Sequence, residues 1–174
     1  LERINWLIQN LLKMSLLDSN NIDFKKENIE IKDLIDETLS LTKFENIKLI
    51  KKINNYEIII DKKWTTEAIL NILNNAIRHT KDEIIIETGE TYFYKYIKIT
   101  DNGNGINEEM IKKIFERFFS NSKNGVGIGL NISKEIIEKQ NGTIEVKSSD
   151  VTTFEIQGGI YDSIRNKKLK KTLR

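Results

Sequence analysis

Three short segments of this 174-residue chain carry residue types suited to phosphate and metal chemistry. In the first, Asn71-Ile-Leu-Asn-Asn75 runs into Ala76, Ile77, Arg78, His79 and Thr80. Residues four apart share a helical face, so in a helix Asn71 and Asn75 can aim their amide oxygens at one point. A neutral amide oxygen is an adequate hard donor to Mg²⁺ where phosphates and waters complete the octahedron. Arg78, a turn further on, could meet phosphate oxygens; read alone, the stretch also fits a polar helix face in an asparagine-rich chain. The second segment is Asp101-Asn102-Gly103-Asn104-Gly105-Ile106, directly after an apolar run. Glycines at this spacing allow backbone conformations closed to other residues and let a ligand approach the main chain. An aspartate at a strand end could accept a hydrogen bond from a buried donor such as a base amino group, although an ordinary Asx-rich turn has the same composition. The third is Gly125-Val-Gly127-Ile-Gly129-Leu130. Glycines that open a helix suit phosphate, because free N–H groups and the helix dipole both favour an anion. No Gly-Lys-Ser/Thr ends the run and no strand leads directly into it, so neither a P-loop nor a dinucleotide fingerprint is met. A different nucleotide fold is indicated.

The elements that must position these residues follow from apolar periodicity. Ile4, Leu7, Ile8, Leu11, Leu12 and Leu16 predict an amphipathic helix ending at the turn-rich Asp18-Ser19-Asn20-Asn21. A strand is expected around Ile29 and Ile31, then a helix from about Asp33, taken as N-cap, to Lys43. Ile47 to Ile53 and Glu57 to Asp61 read as two strands joined in a hairpin through Asn54-Asn55. Ala68, Ile69, Ile72, Leu73, Ala76 and Ile77 mark one face of a helix over Trp64 to Thr80, and strands over Glu83–Thr88 and Tyr92–Thr100 flank Gly89-Glu90 as a second hairpin. A short helical stretch from Asn107 to Phe115, a polar loop from Ser120 to Gly127, a helix to about Gln140 stopped by Asn141-Gly142, and strands over Thr143–Lys147 and Thr152–Gln157 complete the pattern. Helices are not regularly interleaved with strands. The expected class is α+β: a two-layer sandwich in which a mixed, mostly antiparallel sheet carries helices on one face.

Composition narrows the function. Lys plus Arg number 28 against 26 Asp plus Glu, and a net charge of +2 gives no field that argues for a nucleic-acid partner. The absence of cysteine removes disulfide frameworks, Cys-based zinc sites and thiol nucleophiles. His79 is the sole histidine, so a His-pair metal site is hard to build. No apolar run reaches the roughly 20 residues needed to cross a bilayer. Because the sequence opens at Leu1 within an amphipathic pattern, we expect it to be a piece of a longer protein. The tail from Ile160 to Arg174 is basic, which fits a solvated end or a contact with a membrane surface or partner.

In order and spacing, Asn71 to Thr80, Asp101 to Ile106, Phe115-Glu116-Arg117-Phe118-Phe119 and Gly125 to Leu130 resemble the N, G1, F and G2 boxes of sensor histidine kinases. The resemblance implies a Bergerat-type ATP-binding domain over residues 21–158, the end of a dimerisation and phosphoacceptor helix over residues 1–20, and a tail, 159–174, outside the family pattern. By position it implies that Asn75 ligates Mg²⁺ with Asn71 in support, and that Arg78 faces phosphate. It implies that Asp101 recognises the adenine amino group, that Gly103, Gly105 and Ile106 shape the base pocket, and that Gly125, Gly127, Ile128, Gly129 and Leu130 form the lid hinge and phosphate-binding helix start. Thr152 resembles the threonine that helps to bind adenine. Lys123, the one cation between Phe119 and Gly125, could meet the γ-phosphate or stay solvated. The chain departs from the pattern at His79, where a tyrosine is common beside the nucleotide, at Val151, where a glycine usually precedes the threonine, and in its short lid. His79 is expected to pack in the nucleotide pocket, and Phe115, Phe118 and Phe119 to be structural.

Related ATPases of the gyrase, chaperone and mismatch-repair type place a water-activating glutamate four residues before the metal asparagine. Asn71 occupies that station and an amide cannot act as a general base. The resemblance therefore implies phosphoryl transfer from Mg-ATP to a histidine on a separate helical domain, with a response regulator downstream. No His-acidic pair lies in the first helix, so the acceptor is expected elsewhere in the parent protein. Two alternatives stay open: an anti-sigma-factor-type serine kinase, and a nucleotide-gated binding module without catalysis. The chain is expected to be a cytoplasmic domain, monomeric by itself, of a homodimeric parent anchored in the membrane.

Overall fold

Isoleucine at every second position builds the centre of the protein. In the computed structural model, which describes residues 2–19, 22–120 and 126–158, twelve elements follow one another. They are α1 (Glu2–Asp18), β1 (Lys26–Glu30), α2 (Ile31–Ser40), β2 (Lys48–Ile53), β3 (Glu57–Asp61), α3 (Lys62–His79), β4 (Glu83–Glu90), β5 (Lys95–Asp101), α4 (Glu108–Ile111), α5 (Gly129–Lys139), β6 (Thr143–Ser148) and β7 (Thr152–Gly158). Five strands form one sheet in the order β2-β4-β5-β7-β6, and β1 pairs with β3 in a second. Only β2 and β4 run parallel among the described pairs. Side chains alternate between sheet faces with period 2, so the register places Ile86, Ile99, Phe154 and Val146 in one row across the sheet. Thr88, Ile97, Ile156 and Ile144 form the next row. Helices α3 and α5 cover this face, bringing Ala68, Ile69, Ile72, Leu73, Ile132 and Ile136 into the same core. Each fully buried Leu or Ile among these contributes about 1.5–3 kcal/mol. This is the two-layer, mostly antiparallel α+β sandwich expected from the sequence.

The start of α3 is fixed by a cap. Asp61 Oδ1 accepts from the Trp64 N–H at 3.0 Å, which satisfies one of the orphan donors of a first turn. Gln140, just past α5, accepts from the Asp61 N–H at 2.7 Å and donates to Thr65 Oγ1 at 3.1 Å. The two helices are also stitched by Ser133 Oγ, which donates to the Ala68 carbonyl at 2.9 Å. Helix α1 lies against this body through buried Met14 and Leu17 and an ion pair from Lys13 to Glu67 on α3 at 2.6 Å. Its other face leaves Ile4, Ile8, Leu11, Leu12 and Leu16 exposed. No helix among the described residues is long and apolar enough to cross a membrane.

Three expectations are corrected. The segments before and after Asn54-Asn55 do not pair with each other: β2 joins β4 in parallel, and β3 joins β1, with Glu30 opposite Glu57. The asparagines instead carry the chain from one sheet to the other. Helix α2 starts at Ile31 rather than after Asp33 and stops at Ser40, short of Lys43. Asp33 sits in its first turn, where a carboxylate favours the positive end of the helix dipole without capping a backbone donor. The stretch from Asn107 to Phe115 holds one helical turn, Glu108–Ile111, with Asn107 as its side-chain cap.

Candidate functional site

Extending the row pattern by two residues reaches the end of the sheet, where Ile84, Asp101, Thr152 and Ser148 lie side by side. Three of the four are polar. Two of them, Asp101 and Thr152, line a cavity of about 690 Å³, a size typical of small-molecule sites. Asp101 is inward-facing because it continues the alternation of Ile97 and Ile99, and it is only 2% exposed. Burial raises its carboxyl pKa above the ordinary carboxylate value, because the charged form loses hydration. The Gly103 N–H, donating to Oδ1 at 3.0 Å, and the nearby His79 act in the opposite direction.

The turn after β5 is held by packing that requires glycine. A Cβ on Gly103 would lie 2.7 Å from Asp101 Oδ1 and 3.0 Å from the His79 carbonyl carbon, and nearer still to the His79 carbonyl oxygen. Gly105 has φ of +73°, a left-handed conformation that costs other residues strain, and it sits against the Ser149 carbonyl. The Ile106 N–H donates to Ser148 Oγ at 2.7 Å, and that hydroxyl is 3.2 Å from Thr152 Oγ1. Asn102 Oδ1 gathers Thr80 Oγ1 at 2.8 Å and the N–H groups of Lys81, Asp82 and Glu83 at 3.1–3.2 Å. The G1-like turn is thereby bound to both the end of α3 and the β6–β7 turn.

The opposite wall belongs to α3 and α5. Asn71, Asn75 and Arg78 line the cavity from α3, and Ile128, Gly129 and Leu130 line it from the first turn of α5. Among the described residues no side chain caps the start of α5 at Ile128, so its leading N–H groups lack a side-chain acceptor there, the arrangement that suits an anion. Asn71 packs against Gly129, and its buried Nδ2 has no hydrogen-bond partner. A buried unsatisfied donor is costly unless a ligand meets it. Among the described residues no three His, Cys, Asp or Glu gather in a metal-binding group. A divalent cation here would draw on the Asn75 amide oxygen and on oxygens brought by the ligand, which is within the chemistry of Mg²⁺. The donor set, the orphaned amide and the open helix end all fit a Mg²⁺-bearing polyphosphate.

Most of the residues singled out from the sequence converge: Asn71, Asn75, Arg78, His79, Asp101, Gly105, Ile106, Gly127, Ile128, Gly129, Leu130 and Thr152 all line this cavity. Gly103 stands just behind it. His79 is an exposed wall residue rather than one packed in the interior. Phe115 stacks edge-on against Phe154 and Phe119 lines the cavity, while Phe118 is 61% exposed, so that ring is not part of the core. Lys123, Gly125 and the tail 159–174 lie outside the described residues. Sequence reasoning missed Ser148, which only its register opposite Thr152 reveals, and Trp6, brought to the cavity by α1.

Fold and cavity together define a nucleotide-binding ATPase domain of the two-layer kind. The chain belongs to the family of histidine kinase-, DNA gyrase B- and HSP90-like ATPases, whose profile matches residues 60–158. Its relatives are sensor histidine kinases: it is 29% identical over 171 residues to WalK of Bacillus subtilis (strain 168), covering 87% of this chain and 28% of WalK. It is similar in structure to the catalytic domain of histidine kinase ThkA, with a TM-score of 0.69 and 26% identity over 78% of this chain and 95% of that one. The fold is also that of ShkA, solved in complex with AMPPNP, with a TM-score of 0.77 and 18% identity over 87% of this chain and 35% of that one. The chain thus spans less than a third of the length of WalK. The domain is of the catalytic ATPase kind found in histidine kinases.

Proposed function

We propose that this domain binds Mg-ATP and directs its γ-phosphoryl group to a histidine on a separate helical domain of the parent protein. The observation that carries the reading is the buried Asp101 at the sheet end, facing a cavity whose other wall holds Asn75 and the uncapped start of α5. Asp101 accepts from the adenine amino group, and Thr152, opposite it in the register, supports the base side of the pocket with Ile106. Asn71 donates through its free Nδ2 toward phosphate oxygen, and the α5 N–H groups and Arg78 hold the remaining negative charge. Held by Asn75, Mg²⁺ would neutralise charge on the phosphates. The chain supplies no general base at position 71, so water is not activated there and the γ-phosphoryl group is kept for the imidazole nitrogen of the acceptor. In that step the bond from γ-phosphorus to the ADP oxygen breaks as a phosphorus–nitrogen bond forms. Positioning and charge stabilisation are then the domain's main contributions. The exposed apolar face of α1 is consistent with a segment of a dimerising helix, and the parent would be a homodimer that passes phosphate to a response regulator.

Calorimetric titration tests the first half: Mg-ATP should bind with a micromolar-to-millimolar Kd, weakened at least tenfold by Asp101→Asn. Absence of binding, or binding unchanged in that variant, refutes the reading. For the second half, the chain supplied with a phosphoacceptor helical domain should yield acid-labile label on histidine. Label on serine or binding without any label would refute transfer to histidine, in favour of a serine kinase or a non-catalytic nucleotide switch respectively.

A further inference from the structure

Arg117 joins three separate parts of the chain. Its Nη1 donates to Asp18 Oδ2 at 2.8 Å and its Nη2 to Asp18 Oδ1 at 2.5 Å, a two-pronged pairing with the last residue of α1. The same Nη2 reaches Glu135 Oε1 on α5 at 2.6 Å. Arg117 also stands immediately before the rim of the cavity. The Phe118 N–H donates to the Gly127 carbonyl at 2.9 Å, and Gly127, with φ of +72°, packs so closely on the Phe119 backbone that a Cβ would lie 2.6 Å from the Phe119 nitrogen. Phe119 and Gly127 both line the cavity. Helix α1 reaches the same space from its other end, through Trp6, and is held between by Lys13 on Glu67.

From this arrangement we infer that Arg117 is a positioning residue: it latches the end of α1 to the cavity rim, so that docking of α1 and occupancy of the nucleotide cavity favour each other. The second clause rests on the nucleotide reading above; the latch itself does not. A single exposed ion pair contributes little. Here a planar fork meets both oxygens of one carboxylate and one oxygen of another, a geometry that guanidinium fills and an ammonium cannot. Because α1 supplies Trp6 to the wall shared with Asn75 and Gly129, releasing the helix removes part of the ligand's surroundings. Linkage is reciprocal: a helix position that tightens ligand binding is itself stabilised by the ligand to a matching extent.

The test uses the whole chain and hydrogen exchange of the α1 amides, measured with and without a non-hydrolysable Mg-ATP analogue. Arg117→Ala should accelerate exchange across α1 by about fivefold, as should Asp18→Asn, whose exposed position leaves the core intact. The double variant should be no faster than either single one, because both remove the same contact. Arg117→Lys should restore less than half of the protection. In the unaltered chain the analogue should slow α1 exchange, and its affinity should fall several-fold in Arg117→Ala. Additive effects of the two substitutions, unchanged α1 exchange, or faster exchange on binding overturn the inference. If the unaltered chain binds no nucleotide, the function proposed above fails, while the latch is still decided by the exchange rates and the double variant alone.

Discussion

Gly103→Ala isolates how the site depends on close backbone packing. The added Cβ would lie 2.7 Å from Asp101 Oδ1 and 3.0 Å from the His79 carbonyl carbon, and nearer still to its oxygen. The first obstacle belongs to the cavity's buried acid, but the nearest is the backbone carbonyl at the end of α3, which no side-chain rotation can move aside. The turn must retreat by roughly an ångström, and overpacking of this kind costs about 1–3 kcal/mol. Taking about 2 kcal/mol, a domain of this size should lose about 4–8 °C in Tm. The same displacement carries Asp101 out of hydrogen-bond reach of a base, and a bond to a charged group contributes about 1.5–3 kcal/mol, so Mg-ATP should bind roughly 10- to 100-fold more weakly. The control is Gly158→Ala, where the nearest atom to the new Cβ is 3.8 Å away and about zero change is expected. Thermal melts followed by calorimetric titration of both variants decide the matter. If the two variants melt and bind alike, the packing argument is wrong.

Three other outcomes follow from the same geometry. Asn102→Ala should lower stability by about 2–3 kcal/mol in urea titration, since three backbone N–H groups and Thr80 lose their shared acceptor. Asp101→Asn should raise Tm at pH 7 while weakening nucleotide binding. A carboxyl whose pKa is raised in the folded state contributes stability that is present below its ordinary value of 3.8 and lost as pH rises through the folded value. The Tm gap between the variant and the parent chain should therefore close as pH falls below about 4, and a gap that widens on acidification contradicts the assignment. Phe154→Ala, at the centre of the sheet and 1% exposed, should cost about 3–5 kcal/mol in the same urea assay, with binding recovered at low temperature where the fold persists.

Period-3.6 and period-2 patterns revealed α1, α3, α5 and the last four strands, because each buries one continuous face against the common core. Partner choice was not legible where a local turn was consistent with more than one sheet. Asn54-Asn55 looks like a hairpin tip, yet the parallel pairing of β2 with β4 depends on α3 returning the chain. The cavity-lining residues from Asn71 to Thr80 and from Asp101 to Ile106 stood out because asparagine and glycine cluster there against their ordinary preference for isolated turns. Thr152 was harder: Val151 breaks the expected local pattern, and only the register opposite Asp101 fixes its place. Ser148, Trp6 and the ion pairs of Arg117 depend on contacts far apart in sequence, for which single residues leave no local mark.

The pairing of β5 with β7 also bears on how the chain reaches its native state. Thr100 and Thr153, 53 residues apart, share a hydroxyl hydrogen bond of 2.9 Å on adjoining strands, one step from Asp101 and Thr152. Hairpins β4–β5 and β6–β7 close short loops and can form early, whereas joining them requires ordering the whole span between. Asp101 and Thr152, which line the cavity from these two strands, meet only at that late event. Folding intermediates that retain both hairpins will therefore not bind nucleotide, and the ligand will report completion of the sheet rather than the appearance of secondary structure.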